Sequence, residues 1–268
     1  MNKLLAANAL LFIYLFSSHA SACELLHSDD ADFPESAARS NSDTGIATAW
    51  YDGGTGRYRH GVLGDAIEPS ILRVTSTAGC TYSVELGRPH VFEDIQTRLA
   101  NIDQQPGDEV ITIRSHQNYG AQIAVYRLSD SGLELFTETP YIGTANRWLA
   151  PIGIADINND GDMDIAFVDR PHLAKTLRIW TYRGGELQEV ASRSGYSNHR
   201  IGEDFISGGI KTCDGKTMMI TADARWRRIL ASTLENDGLI STLDIGPCLL
   251  YTSPSPRDAT LSRMPSSA

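Results

Sequence analysis

From Gly45 onward, short runs of four to seven apolar or β-branched residues alternate with clusters of Gly, Asp, Asn and Ser. No run extends into the i, i+3, i+4, i+7 spacing of an amphipathic helix, so this part of the chain reads as β-strands joined by turns. The strands come in pairs. Residues 70–86, 121–136 (AQIAVYRLSDSGLELF), 175–190 (KTLRIWTYRGGELQEV) and 227–245 each read as strand, Gly-containing turn, strand. Ala155-Asp156-Ile157 aligns with Ala100-Asn101-Ile102, and without a gap Asp164-Ile165 then falls on Glu109-Val110. Units starting near Ala49, Ala100, Ala155 and Gly208 are spaced 51, 55 and 53 residues apart. Four short strands in about 53 residues is the size of a propeller blade. The expected fold class is therefore all-β, a β-propeller with four detectable units over 45–247. A β-sandwich would explain the strands but not the period.

The two ends fall outside this pattern. Met1-Asn2-Lys3, an apolar run from Leu4 to Phe16 and the small residues up to Ala22 read as a secretory signal peptide over 1–22. The apolar run is short for a bilayer span, which needs about 20 residues. Cleavage after Ala22 leaves Cys23 first, which invites a lipoprotein reading. Ala20 stands where a lipobox usually carries Leu, so soluble export of a bacterial type, secreted or periplasmic, is favoured. Residues 23–44 are acidic and weakly patterned and read as a polar leader. At the other end, 248–258 (CLLYTSPSPRD) and 262–268 (SRMPSSA) resemble a translated transposon-type sequencing adapter, with Ala259–Leu261 the length of an index between the two blocks. On that reading 248–268 is not native, and the repeat array is truncated near Pro247.

Charge and cysteines change accordingly. The chain carries −10; losing Lys3, Arg257, Arg263 and Asp258 takes it to −12, three basic residues and one acidic one fewer. An acidic surface disfavours nucleic acid and anionic lipid and suits a protein that collects cations. Three cysteines remain, Cys23, Cys80 and Cys213. Their odd number in an oxidising compartment leaves the disulfide pairing open.

The sharpest local signal is Asp156-Ile-Asn158-Asn-Asp160-Gly161-Asp162-Met-Asp164. Oxygen-bearing side chains at positions 1, 3, 5 and 9, with Gly at position 6, suit Ca²⁺, a hard cation that takes six to eight oxygen ligands. Gly161 permits the reversal, and Asp162 could lend its carbonyl from position 7. An EF-hand would need Glu at position 12; Phe167 stands there, inside an apolar run. A plain acidic turn is the alternative, since Asp, Asn and Gly are turn formers. In unit two Asn101, Asp103, Gln105 and Glu109 form a weaker copy, with Pro106 in place of the glycine. Unit one (Trp50, Asp52, Gly54, Tyr58) and unit four (Gly209, Lys211, Cys213, Thr217) lack the ligand pattern.

The stretch GIADINNDGDMDIAFV, followed by LRIWTYRGGELQEV, resembles an FG-GAP or VCBS-type repeat, the kind that builds the integrin α-chain propeller. The likeness is clear over 151–190, fair over 99–140 and faint elsewhere. It implies that Asp156, Asn158, Asp160 and Asp164 are calcium ligands.

Polar and aromatic residues gather ahead of the unit starts: Glu93 and Asp94, Arg147 and Trp148, and His199, Arg200, Glu203 and Asp204. They are candidates for a ligand surface, or for ion pairs and packing between neighbouring units. H-E-x-x-H and G-x-S-x-G are absent, and 209–217 misses a phosphate loop by one residue. The expected function is an exported calcium-binding propeller that engages a protein or glycan. The competing reading is a hydrolase or lyase of polysaccharide or phosphoester, which requires Glu93, Asp94, His199, Glu203 and Asp204 to converge in one pocket.

Overall fold

A computed structural model describes residues 24–247 of the chain. The expectations for the signal peptide, Cys23 and the 248–268 tail lie outside these residues. The described residues are all-β, with one 3-10 turn at Ser28–Asp30. No helix among them is long and apolar enough to cross a membrane.

Eighteen strands form four antiparallel sheets in chain order. Sheet one holds β1 (Phe33–Arg39), β2 (Ile46–Thr55), β3 (Glu68–Ser76) and β4 (Thr81–Glu85). In sheet two, β5 (His90–Phe92) and β6 (Arg98–Ala100) both pair with β7 (Glu109–His116), followed by β8 (Gly120–Ser129) and β9 (Gly132–Glu138). Sheet three is β10 (Leu149–Ala155), β11 (Asp164–Asp169), β12 (Thr176–Arg183) and β13 (Glu186–Ser194). In sheet four, β14 (Tyr196–Ser197) and β15 (Gly209–Cys213) pair with β16 (Lys216–Asp223), then β17 (Arg228–Leu234) and β18 (Ile240–Pro247). Between β15 and β16 the turn is Asp214-Gly215, both at positive φ (50° and 74°), the two-residue geometry whose twist matches a hairpin.

Alternation along the strands gives each inner sheet two apolar faces, and each face is used. Ala49, Tyr51, Leu72 and Val74 of sheet one pack on Val110, Ala124 and Tyr126 of sheet two. The other face of sheet two, with Ile111, Ile113, Ile123 and Val125, packs on Ile165 and Phe167 of sheet three. Sheet three then turns Ala166, Val168, Leu177 and Ile179 to Met219 and Leu234 of sheet four. The first strands lie side by side, β1 against β6, β6 against β10 and β10 against β15. Ile220, Ala222, Ile229, Ala231 and Leu243 sit in the same strand positions of sheet four as the residues sheet three turns forward. No further sheet follows them among the described residues; Leu243 is 66% exposed.

Two boundaries differ from the sequence expectation. The leader 23–44 contains β1, the first strand of sheet one. Ala100 and Ala155 close first strands and Gly208 directly precedes one, but Ala49 lies within β2. Ala49 therefore lies out of phase with the other unit starts, because the long β2–β3 connection, 56–67, stretches the local spacing. That connection leaves sheet one and reaches residues of sheets two and three. Val62 and Leu63 enter the core between sheets two and three, and the Val62 carbonyl accepts the Gly202 N–H at 3.1 Å. Residues 24–32 lie along sheet one: the Thr81 amide donates to the Glu24 carbonyl (2.9 Å) and the Gly54 amide to Asp32 (3.0 Å). Cys80 is disulfide-bonded. Cys213 is a free, exposed thiol and so drops out of the pairing left open by the cysteine count.

Candidate functional site

The loop between β10 and β11 is built by its own carboxylates. Asp156 accepts the amides of Asp160 and Gly161, both at 3.0 Å, and Asp160 accepts the Asp162 amide at 3.0 Å. Asn159 and Gly161 take positive φ (58° and 94°), which reverses the chain within one turn. Asp164 is 1% exposed; it accepts the Ile157 amide at 3.1 Å and the Thr181 hydroxyl. Burial pushes its carboxyl upward, against those two hydrogen bonds, and the charges of Asp160 and Asp156 add to the rise. Outside the ring of amides, Arg183 bridges Asp160 and Asp162, reaching the latter at 2.7 Å.

The loop between β6 and β7 has the same skeleton 55 residues earlier. Glu109 accepts the Ile102 amide at 2.8 Å, as Asp164 accepts that of Ile157, and Gln104 repeats the positive φ of Asn159 (62°). Asp103 holds the Gln105 amide at 2.8 Å, and the Asn101 amide group donates to the Gln105 carbonyl. Burial pushes Glu109 up to about 7, so its negative charge is incomplete at neutral pH. The buried side-chain oxygen of Asn101 has no hydrogen-bond partner among the described residues.

Sheet one carries a third member in the corresponding place, which the spacing of acidic residues does not mark. Between β1 and β2 runs Ser40-Asn-Ser42-Asp-Thr44-Gly45, with hydroxyls at positions 1, 3 and 5 and Gly45 at φ 78° in position 6. The three loops touch in series. Ser40 donates to Asp108 at 2.5 Å, and Gln104 donates to Asp162 at 2.9 Å. They form one continuous rim.

The polar residues ahead of the unit starts behave differently. Glu93 is fully buried; its carboxylate meets His60 and the Ser115 hydroxyl, and its carbonyl accepts the Trp148 indole N–H at 2.7 Å. Burial raises the Glu93 carboxyl while the His60 contact opposes the rise. The Trp148 ring meets His199 edge-on, with 4.8 Å between centroids. His199 faces His172 at 3.1 Å and the Glu203 carbonyl at 3.0 Å. A hydrogen bond between two imidazoles needs one donor and one acceptor, so the pair holds best with neutral rings. Burial lowers both histidines, His172 to about 4. The His199 side chain and Trp148 are buried against each other between the sheets. Arg200 lies 4.2 Å over the Trp226 ring, with Glu203 beside it, and Arg147 donates to the Asn146 carbonyl.

The five residues required of an enzyme centre do not share one pocket. A cavity of about 1130 Å³ lies among the first strands and beneath sheet four, and Asp94 and Asp204 line it. Glu93, His199 and Glu203 do not. Asp94 is held by Arg98 (2.8 Å) and the Tyr51 hydroxyl (3.1 Å). Beside it stands Glu68, which the sequence did not single out; it is 2% exposed, and burial and neighbouring carboxylates push it up to about 9. No periodicity marks such a residue, because its partners come from distant strands.

The histidine pair gives a pH prediction. A base lowered in the folded state favours unfolding once the unfolded group starts to take up protons, so stability falls as pH drops below about 6.5 toward about 4. With partial solvent screening the His172 contribution is about 1 kcal/mol between pH 7 and pH 5. Urea unfolding of the parent against His172→Gln at both pH values reads it; equal acid losses in the two proteins would refute it.

Comparison with known proteins finds no matching family model and no similar curated protein.

Proposed function

We propose that the chain is an exported β-propeller module of the FG-GAP/VCBS type. In this reading it binds calcium in the 156–164 loop and engages a protein or glycan on its loop surfaces. The stacking of four antiparallel sheets in chain order, with first strands side by side, supports the architecture. The observation that carries the calcium reading is the 156–164 loop itself. Asp156, Asn158 and Asp160 lie on one tight reversal above buried Asp164, whose proton affinity is raised by burial and, secondarily, by the charges of Asp160 and Asp156. Such crowded negative charge fits a hard cation. Arg183 now neutralises Asp160 and Asp162, and a cation at the loop would have to displace it from Asp160. Among the described residues no three Asp, Glu, His or Cys side chains already stand in a metal-holding group. Binding therefore includes a swing of Arg183 and of the carboxylates.

Calcium at a hundredfold excess over Kd is expected to raise stability by about 2.7 kcal/mol. Thermal melting with calcium and with a chelator measures this. Asp156→Asn should abolish the shift, and Arg183→Gln should tighten binding severalfold by removing the competing guanidinium. Identical melting of the parent under both conditions would sink the reading. The hydrolase or lyase alternative loses ground because Glu93 and His199 are consumed by buried contacts.

A further inference from the structure

We infer that the cavity beneath sheet four binds an ammonium group, carried by a free amine or a lysine side chain, with Glu68 as its counter-ion. This stands apart from the calcium reading, since it uses none of the residues of the metal loop.

Glu68 opens β3 on the cavity wall. Its carboxyl is buried, and Oε1 has no hydrogen-bond partner among the described residues. A buried carboxyl left unsatisfied costs free energy that a polar ligand can recover. The surroundings select the sign of that ligand. Glu35 on β1, Asp65 ahead of β3, Asp94 ahead of β6 and Asp204 ahead of β15 line the same space, and buried Glu93 adds to the field at Glu68. Two cations line it in return. Arg98 is committed to Asp94 at 2.8 Å, and Lys211 is exposed on β15. The net field inside favours a positive charge.

The form of the cation follows from the donors. A divalent metal wants six to eight oxygens, and the described residues contain no metal-holding cluster of carboxylates. A guanidinium is best matched by a carboxylate with both oxygens presented in one plane. An ammonium is a compact charge on a methylene stem, and one free carboxyl oxygen on the wall of a partly apolar cavity suits it. Ile67, Phe205, Ile220 and Ile229 supply the apolar part of that wall, and Ile67 and Phe205 stand exposed.

Isothermal titration at pH 8 with cadaverine and with the tripeptide Gly-Lys-Gly tests the site. Saturable binding of either probe is expected, weakened at least tenfold by Glu68→Gln, a difference of about 1.4 kcal/mol. Because burial and neighbouring carboxylates keep the Glu68 proton at pH 8, binding of a cation should also release close to one proton. That release appears as a heat difference between buffers of unlike ionisation enthalpy. Cadaverine alone binding points to a free amine, and Gly-Lys-Gly alone to a lysine of a partner chain. Circular dichroism of Glu68→Gln controls for folding, and the Asp156→Asn chain should bind both probes as the parent does. Absence of binding by both probes up to about 10 mM, near the millimolar range of weak contacts, overturns the inference. So does equal binding by parent and Glu68→Gln.

Discussion

Replacing Trp148 by alanine is expected to lower the unfolding free energy by about 3–5 kcal/mol, the range for removing a large aromatic from a core. The side chain is 2% exposed and belongs to the core between sheets two and three. Its loss leaves a void in the cluster that also holds Ile111, Ile113 and Phe167, whose strands are fixed in register by their ladders. Two further contacts disappear with it. The Glu93 carbonyl loses its indole donor, and His199 loses the ring against which it stands. Trp148→Phe separates these effects. It keeps a ring in the void but leaves the carbonyl unsatisfied, so its loss should be about 1–3 kcal/mol. Urea unfolding of both variants measures the order. A Trp148→Ala protein as stable as the parent would show that the sheets do not depend on this junction.

Glu68→Gln should act in the opposite direction and should depend on pH. The folded chain keeps the Glu68 proton up to about pH 9, whereas the unfolded chain releases it near 4.5. Between those values the unfolded state binds fewer protons, so stability declines as pH rises, by up to about 1.4 kcal/mol per pH unit. At pH 7 the accumulated loss is about 3 kcal/mol. Glutamine has nearly the same shape and does not ionise. The variant is therefore expected to match the parent near pH 4.5 and to exceed it progressively above. Denaturant unfolding from pH 5 to pH 8.5 measures the divergence; parallel curves for the two proteins would refute it. The effect of Glu68 runs counter to that of His172, which weakens the fold on the acid side. The two windows overlap between about pH 4.5 and 6.5, where the contributions oppose each other and stability should change little.

Strand content and pairing were legible in the sequence because one buried face and one tight turn leave a period-two pattern punctuated by glycine. The loop at 156–164 was legible because its acidic residues serve local amides, and local geometry demands fixed spacing. Its homologue at 40–45 was not, since hydroxyls replace the carboxylates and the 56–67 connection distorts the spacing on which alignment rests. The leader hid β1 for a related reason: Phe33 and Ser36 are inward residues in an otherwise polar segment, too few to show alternation. Glu93, His60 and Ser115 lie tens of residues apart; pairing of β5 with β7 brings Glu93 to Ser115, and the long 56–67 connection brings His60 to Glu93. No linear pattern announces such contacts.

Among the described residues the outer face of sheet four packs on no further sheet and borders the cavity instead, which bears on how the described array comes apart. Sheets two and three are gripped from both sides, whereas sheet four is gripped from one. In a linear array held by nearest-neighbour interfaces, cooperativity runs inward and fraying begins at the weakest terminus. At the opposite terminus sheet one is backed by residues 24–32 and by the Cys80 disulfide. Among the described sheets, opening would then start at sheet four and stop first at sheet three. The 156–164 loop belongs to that sheet, so a cation bound there would clamp the boundary at which unzipping has to halt.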